Sequence, residues 1–252
     1  MIPIKTKEEI EIMKKGGQIL AGVMEKVKRN VRPGVSTLEL DHLADKLISQ
    51  KGEPSFKKVR DYKWASCMCV NDVVVHGIPG DYKLKEGDLL GIDIGMFYQG
   101  FHSDMAQTVI VGEQKEKNKL NFLKTGQKAL EKAINQALVG KHIGHLSAII
   151  QETVEKEGYS SVRALTGHGI GKNLHEEPAI PCFLEDKVEK TLKLKEGMTL
   201  AVEIIYNQGK AQVVYRDDDD WTIQTEDGKL SGLFENTIAI TAKGPIVLTQ
   251  TS

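Results

Sequence analysis

Residues 83 to 93, KLKEGDLLGID, recur closely as residues 193 to 203, KLKEGMTLAVE, 110 positions later. The same Lys-Leu-Lys-Glu-Gly turn feeds an apolar strand twice, and Glu203 falls where Asp93 falls. A return strand follows each: Asp104 precedes Met-Ala-Gln-Thr-Val-Ile-Val, and Glu235 precedes Asn-Thr-Ile-Ala-Ile. A single five-residue match is within reach of chance, but acids at matching depths in the strands that follow are not expected from it. The pattern restricts the chain to two homologous halves facing each other across a pseudo-twofold axis, each supplying two inward carboxylates.

The stretch from Gly87 to Gly112 reads as two strands joined by a Gly-containing turn. Side chains alternate along a strand, so Leu89, Gly91, Asp93 and Gly95 share one face and Leu90, Ile92 and Ile94 the other. Asp93 then sits on a face cleared by two glycines. A carboxylate is costly to bury alone, and open space beside it suggests a bound ion. Taken singly, such an aspartate reads equally well as an N-cap, turn or salt-bridge residue.

Local signals fill in the rest. Thr6 with Glu9 and Ser36 with Glu39 form capping boxes. Ile10, Met13, Leu20, Met24 and Val27 mark one face of a helix ending before Pro33-Gly34, and Leu40, Leu43 and Leu47 continue a second toward Gly52. A loosely alternating run from Cys67 to Val75, a reversal at His76-Gly-Ile-Pro79, and strands at about 88 to 95 and 104 to 111 complete the first half. The second half repeats the order. It has helices at about 116 to 138 and 146 to 157, a loop-rich segment holding Thr166-Gly-His-Gly-Ile-Gly and His175-Glu-Glu-Pro178, and strands at about 199 to 206, 211 to 215, 220 to 224 and 234 to 241. His168-Gly-Ile echoes His76-Gly-Ile. The acidic run Asp217 to Asp220 reads as a solvated hairpin tip, because consecutive acids cannot all converge on one point. The expected fold class is α+β, with antiparallel sheet as the inner layer and helices outside. One catalytic unit over residues 1–252 is expected, its halves covering about 6–112 and 116–241.

Composition narrows the function classes. With 252 residues, 40% hydrophobic and 27% charged, the chain can bury a large core. A formal net charge of −1 offers no global attraction to nucleic acid or to an anionic membrane surface. No apolar run is long enough to span a bilayer, and Met1-Ile-Pro-Ile4 leads straight into a charged helix without a signal-peptide pattern, so a cytoplasmic location is expected. Cys67, Cys69 and Cys182 have no zinc-finger or redox spacing and read as small buried hydrophobes in a reducing compartment.

Asp93, Asp104, Glu203 and Glu235 with a histidine form a set suited to two divalent ions, and its oxygen-rich character favours manganese, iron, cobalt or a similar ion over thiolate-held zinc. Without ions, carboxylates about 4 Å apart repel by about 4 kcal/mol per pair at an effective dielectric of 20. A lone histidine in a glycine-rich loop is often only a backbone-bonding residue. His168, between glycines, can approach an ion unobstructed, and the step to His175 adds a second imidazole nearby. His42, His102, His142 and His145 lack such context and read as surface or packing residues.

At these residues the chain strongly resembles the type I methionine aminopeptidases, which have the pita-bread fold. The resemblance runs from about Lys5 to Thr241 through HGIP at 76, IDIG at 92, SD at 103, GHGIG at 167, HEEP at 175, AVE at 201 and FENT at 234. It implies a dinuclear site on Asp93, Asp104, His168, Glu203 and Glu235, with Glu203 as proton shuttle for an activated water. It also implies that His76 contacts the substrate near the scissile amide and that His175 stabilises the developing oxyanion. Tyr62, Cys67 and Trp221 then line the pocket for the methionine side chain, and Asn71 with Ser231 marks a weaker monovalent-cation site. The implied partners are nascent polypeptide N-termini, with the ribosome as a further candidate. The chain is expected to be a monomer, with no membrane and no specific nucleic-acid partner.

Three positions depart from the family pattern. Gln107 stands where a basic residue is common, Ile204-Ile205 replaces Pro-Met, and Asn236 replaces a histidine. None is an implied ligand, and they bear on rate, metal preference and second-residue specificity. Competing expectations are a prolyl aminopeptidase or dipeptidase on the same fold and a non-catalytic pita-bread binding protein. Prolyl relatives usually carry an extra N-terminal domain for which Asp93 lies too early, the type II enzymes need an inserted helical subdomain, and five matching ligand positions argue against a mere binding module.

Overall fold

The computed structural model describes residues 2–113, 116–217 and 219–251. Helices α1 (Lys7–Lys28) and α2 (Thr37–Ile48) open the chain, followed by β1 (Glu53–Pro54), β2 (Ser66–Val70), β3 (Val73–Val75), β4 (Leu89–Tyr98) and β5 (Phe101–Ile110). The second half contains α3 (Lys117–Gln136), α4 (Ile143–Glu155), β6 (Ser160–Ser161), β7 (Thr166–Gly169), β8 (Glu176–Pro181), β9 (Thr199–Asn207), β10 (Val213–Tyr215), β11 (Ile223–Thr225), β12 (Ser231–Thr241) and β13 (Gly244–Val247). The main sheet runs β1-β4-β5-β12-β9-β7-β8, with β2 on β4, β6 on β9 and β13 on β12, while β10, β11 and β3 form a second, smaller sheet. This is the pita-bread arrangement of two related halves, joined where β5 meets β12.

The repeat in sequence is a repeat in hydrogen bonding. Leu84 N donates to Val35 O and Leu194 N to Lys141 O, while Gly34 N donates to Leu84 O and Gly140 N to Leu194 O. Ser36 bridges Lys83 as His142 bridges Lys193. Gly87 and Gly197 end the two Lys-Leu-Lys-Glu-Gly turns at φ of 82° and 84°, a left-handed conformation that glycine adopts without steric cost. Each turn therefore locks the N-terminus of one helix to the start of the strand that carries the first acid.

Both capping boxes form: Thr6 N donates to Glu9 Oε2 at 2.9 Å, and Ser36 N to Glu39 Oε2 at 2.7 Å. Leu90, Ile92 and Ile94 pack with Leu20, Met24 and Leu40, and Leu200, Val202 and Ile204 pack with Phe122, Leu146 and Ile150. The helices thus cover the outer face of the sheet, leaving the acids on the inner one. No described helix is long and apolar enough to cross a membrane.

Two expectations need correction. Helix α4 begins at Ile143 rather than near 146, because His142 N donates to His145 Nδ1 and the pair supplies an N-terminal box that Ser or Thr normally provides. The segment expected to be loop-rich contains β7 and β8. They are short and glycine-bearing, and they are held by pairing with β9 rather than by propensity. The acidic run does lie between the antiparallel strands β10 and β11. Asp218 falls outside the described residues, but Asp219 is more than a solvated charge, since its Oδ1 accepts the backbone N–H groups of Trp221, at 2.8 Å, and Thr222.

Candidate active site

Strand register aligns the acids. Asp93 on β4 lies opposite Ala106 on β5, Ala106 opposite Glu235 on β12, and Glu235 opposite Glu203 on β9. Asp104, two residues before Ala106, lies on the same face, held by reciprocal bonds with Thr237: its N–H donates to Thr237 Oγ1 and its carbonyl accepts from that hydroxyl, both at 2.8 Å. Asp104, His168 and Glu235 each offer a ligand atom within 4.8 Å of one another. His168 Nε2 is 4.0 Å from Glu235 Oε1, while its Nδ1 faces Gly169 O at 2.8 Å, which leaves Nε2 for the centre.

The electrostatics are those of a site short of positive charge. Among the described residues none of the four carboxylates has a lysine or arginine partner. Asp93 Oδ1 and Glu235 Oε1 are buried without a hydrogen-bond partner, which is expensive for a carboxylate. Burial raises Asp93 to about 7. Burial and then the Asp93 charge raise Glu203 to about 8. Asp104 and Glu235 are pushed well up by burial and by their acidic neighbours. Burial, then His175, lowers His168 to about 4, keeping its imidazole neutral and able to coordinate. Unpaired buried oxygens with a neutral imidazole form a donor set that fits divalent cations.

The centre opens into a cavity of about 410 Å³ lined by Asp93, Asp104, His168 and Glu203 and by His76, His175, Tyr62, Cys67 and Trp221. Glu235, almost fully buried, is not part of this lining. Tyr62 packs edge-on against Trp221 at 5.1 Å between centroids, and its hydroxyl donates to Ser66 O at 2.9 Å and lies 3.3 Å from Cys67 Sγ. The Cys67 thiol is held well above its ordinary value, first by burial and then by the Asp93 charge, so it acts as a soft apolar wall. His76 adopts a left-handed φ of 55° and stands 6.4 Å from the Trp221 ring. His168 and His175 meet edge to face at 4.5 Å. His76 and His175 are both lowered by burial.

The glycines act differently from the sequence expectation. Gly91 and Gly95 do not leave space for an ion: a Cβ at Gly91 would lie 3.2 Å from Cys69 Cβ, and one at Gly95 would lie 2.8 Å from Ser55 Cβ. Around His168, a Cβ on Gly167 would lie 2.6 Å from Ala201 O, so this glycine permits close strand approach rather than open access. Asn71 and Ser231 do meet, with Ser231 N donating to Asn71 O at 2.8 Å. His102, His142 and His145 serve packing and capping; His102 is buried with its Nδ1 2.8 Å from Ser55 Oγ. Cys67, Cys69 and Cys182 are all buried and free.

Several cavity walls were not expected from sequence. Phe56 and Val59 arrive together from one short 3-10 turn after β1, and Leu165 and Leu174 from the segments before and after β7, none with a local signature. Ile205 was detectable, since it follows Glu203 by two residues on a strand and so shares its face. The three departures explain themselves in part. Gln107 Oε1 accepts from Lys28 Nζ at 2.7 Å, so a cation reaches this position from α1. Asn236 Oδ1 accepts from Thr249 Oγ1 at 2.9 Å.

Comparison with known proteins bears on the chain as a whole. The sequence profile of metallopeptidase family M24 matches residues 11–242. The methionine aminopeptidase of Clostridium perfringens is 42% identical over 99% of both chains. The crystal structure of the Thermotoga maritima methionine aminopeptidase superposes with a TM-score of 0.94 at 40% identity, covering 99% of this chain and all of that one. Prolidase from Pyrococcus furiosus is more distant, at TM-score 0.79 and 26% identity, with 99% of this chain matching 66% of that one. On these matches over nearly its whole length, the chain belongs to metallopeptidase family M24, among its methionine aminopeptidases.

Proposed function

We propose that the chain, acting as one catalytic unit over residues 1–252 with halves at about 6–112 and 116–241, removes the N-terminal methionine from new polypeptides whose second residue is small. The observation that carries this reading is the adjacency, in one cavity, of a buried acid and imidazole cluster and an apolar recess walled by an aromatic pair and a thiol. Asp93, Asp104, His168, Glu203 and Glu235 would hold two divalent ions of the cobalt, manganese or iron type. Bound there, such ions supply a Lewis acid and lower the pKa of water toward neutrality. Glu203, in the cavity wall, takes the proton from the attacking water and passes it to the leaving amine. His76 and His175 donate to the carbonyl oxygen as its charge develops. Tyr62, Cys67 and Trp221 enclose the methionine side chain. A monovalent cation near Asn71 and Ser231 would support the hairpin start. The substrate is a nascent N-terminus in the cytoplasm, with the ribosome as a further partner, and the enzyme works as a monomer without membrane or specific nucleic-acid contacts.

Specificity tests this reading. An unbranched thioether can follow the recess between Tyr62, Cys67 and Trp221, whereas leucine branches at Cγ. Shape differences of this size in an apolar pocket are worth about 1–3 kcal/mol, or roughly tenfold to two-hundredfold. Release from Met-Ala-Ser is therefore expected to exceed release from Leu-Ala-Ser by that factor under one metal condition, and Met-Lys-Ser is expected to be poor. Preference for Leu-Ala-Ser would indicate a broader aminopeptidase, and preference for Pro-Ala-Ser a prolyl enzyme.

A further inference from the structure

A buried ion pair joins the start of the chain to the loop that carries His175. Lys5 Nζ donates to Glu176 Oε2, although the two residues are 171 positions apart, and each side chain is only 4% exposed. The other carboxylate oxygen, Oε1, accepts from Asn173 N at 3.1 Å. Lys5 is anchored in turn, with its N–H donating to Gly197 O at 2.8 Å in the second Lys-Leu-Lys-Glu-Gly turn. Gly171 leaves the space the ammonium occupies, since a Cβ there would overlap Lys5 Cε and Nζ. Gly171 O also accepts from His102 N at 2.7 Å, and Gly171 N donates to Asn173 O at 3.0 Å. The loop between β7 and β8 is therefore tied from outside by Lys5 and His102 and braced internally at Asn173, with His168 on the strand before it and His175 at its end.

Surface ion pairs rarely justify such an arrangement, and a buried one is weak evidence for stability alone, because desolvation offsets much of the attraction. What a pair of this kind does supply is a fixed position. Glu176 is covalently next to His175, and His175 packs at 4.5 Å from His168. We propose that Lys5 is a positioning residue for His175, acting through Glu176 to hold the imidazole against the reacting carbonyl oxygen. This rests on the oxyanion role given to His175 above. Oxyanion donors act only when held in place beforehand, and a shift of about 1 Å in such a group can cost roughly a hundredfold in rate.

The test measures methionine release from Met-Ala-Ser by the wild type, Lys5→Met, the doubly neutral Lys5→Met/Glu176→Gln, His175→Ala, and His175→Ala combined with each, together with metal content and melting. Lys5→Met leaves Glu176 charged, buried and unpaired, so the doubly neutral variant keeps the test open if the single one does not fold. The expected result is a fall in kcat of about tenfold or more in the doubly neutral variant, and in Lys5→Met where it folds, with KM within about twofold and metal content at the wild-type level. In the His175→Ala background neither change should lower kcat further, because the group they position is gone. Full kcat in the doubly neutral variant, or losses that multiply with that of His175→Ala, would overturn the proposal while leaving the aminopeptidase reading intact. Absence of methionine release by the metal-loaded wild type would instead overturn that reading.

Discussion

Glu203→Gln is expected to lower methionine release by at least about a hundredfold in a protein that remains folded. The substitution keeps shape and volume on β9, where the backbone of residue 203 pairs with Glu235, so the sheet has no reason to rearrange. It removes a ligand charge and the group that moves the proton, and positioned acid–base catalysis contributes about 10²–10⁴ in rate. Its place suits that work, since Glu203 lines the cavity with Asp93, Asp104 and His168. The same substitution should raise the melting temperature of the metal-free protein, since it deletes one of four mutually repelling acids. Near-normal turnover at full metal occupancy would take Glu203 out of the mechanism.

Removal of metal is expected to abolish activity and to lower the melting temperature. A ligand at 100 times its Kd stabilises the folded state by about 2.7 kcal/mol, which for a chain of this size corresponds to a shift of roughly 5–11 °C. The pH dependence of the metal-free protein has a definite sign. Asp93, near 7, and Glu203, near 8, together with the raised Asp104 and Glu235, hold protons in the folded state that the unfolded chain releases at ordinary carboxylate values. Their contribution to stability is complete at low pH and disappears as pH rises through the folded values. His168, near 4, and the lowered His76 and His175 act oppositely, but only below the ordinary histidine value of about 6.5. Between pH 6.5 and 8 the carboxylates act alone, and each proton released tilts stability by about 1.4 kcal/mol per pH unit. Thermal melts after verified chelation should therefore fall across that window, and loaded protein should not follow them. Identical midpoints with and without metal would show that the carboxylate cluster is not under electrostatic stress.

The positioning role proposed for Lys5 and the shuttle role proposed for Glu203 differ in what they predict. Loss of Glu203 removes chemistry, whereas loss of Lys5 misplaces a group that remains present. The distinction lies in the His175→Ala background, where only the positioning effect should vanish.

Much of the architecture was legible because its causes are local. Capping boxes at Thr6 and Ser36 act within three residues, strand alternation puts Leu90, Ile92 and Ile94 opposite Asp93, and the repeated turn announces itself through identical residues. Of the residues that the resemblance implied, Asp93, Asp104, His168, Glu203, His76, His175, Tyr62, Cys67 and Trp221 line one cavity, and Glu235, Asn71 and Ser231 do not. What failed was also informative. Strands β7 and β8 carry little intrinsic strand preference and exist because β9 offers them partners. The apolar walls at Phe56, Val59, Leu165 and Leu174 come from loops whose meeting place depends on the rest of the fold.

From sequence alone came two hairpins, their outer helices, and four inward acids, whereas matching depths did not hold: the register sets Asp104 two residues from the row of Asp93, Glu235 and Glu203. Tertiary structure decided that β5 pairs with β12, so that Asp104 comes within ligand distance of His168 and Glu235, and that Lys5 reaches Glu176 across 171 positions. Local hydrogen bonds and side-chain alternation are set by neighbouring residues, whereas these contacts join distant segments and form only when the buried core fixes where each segment ends.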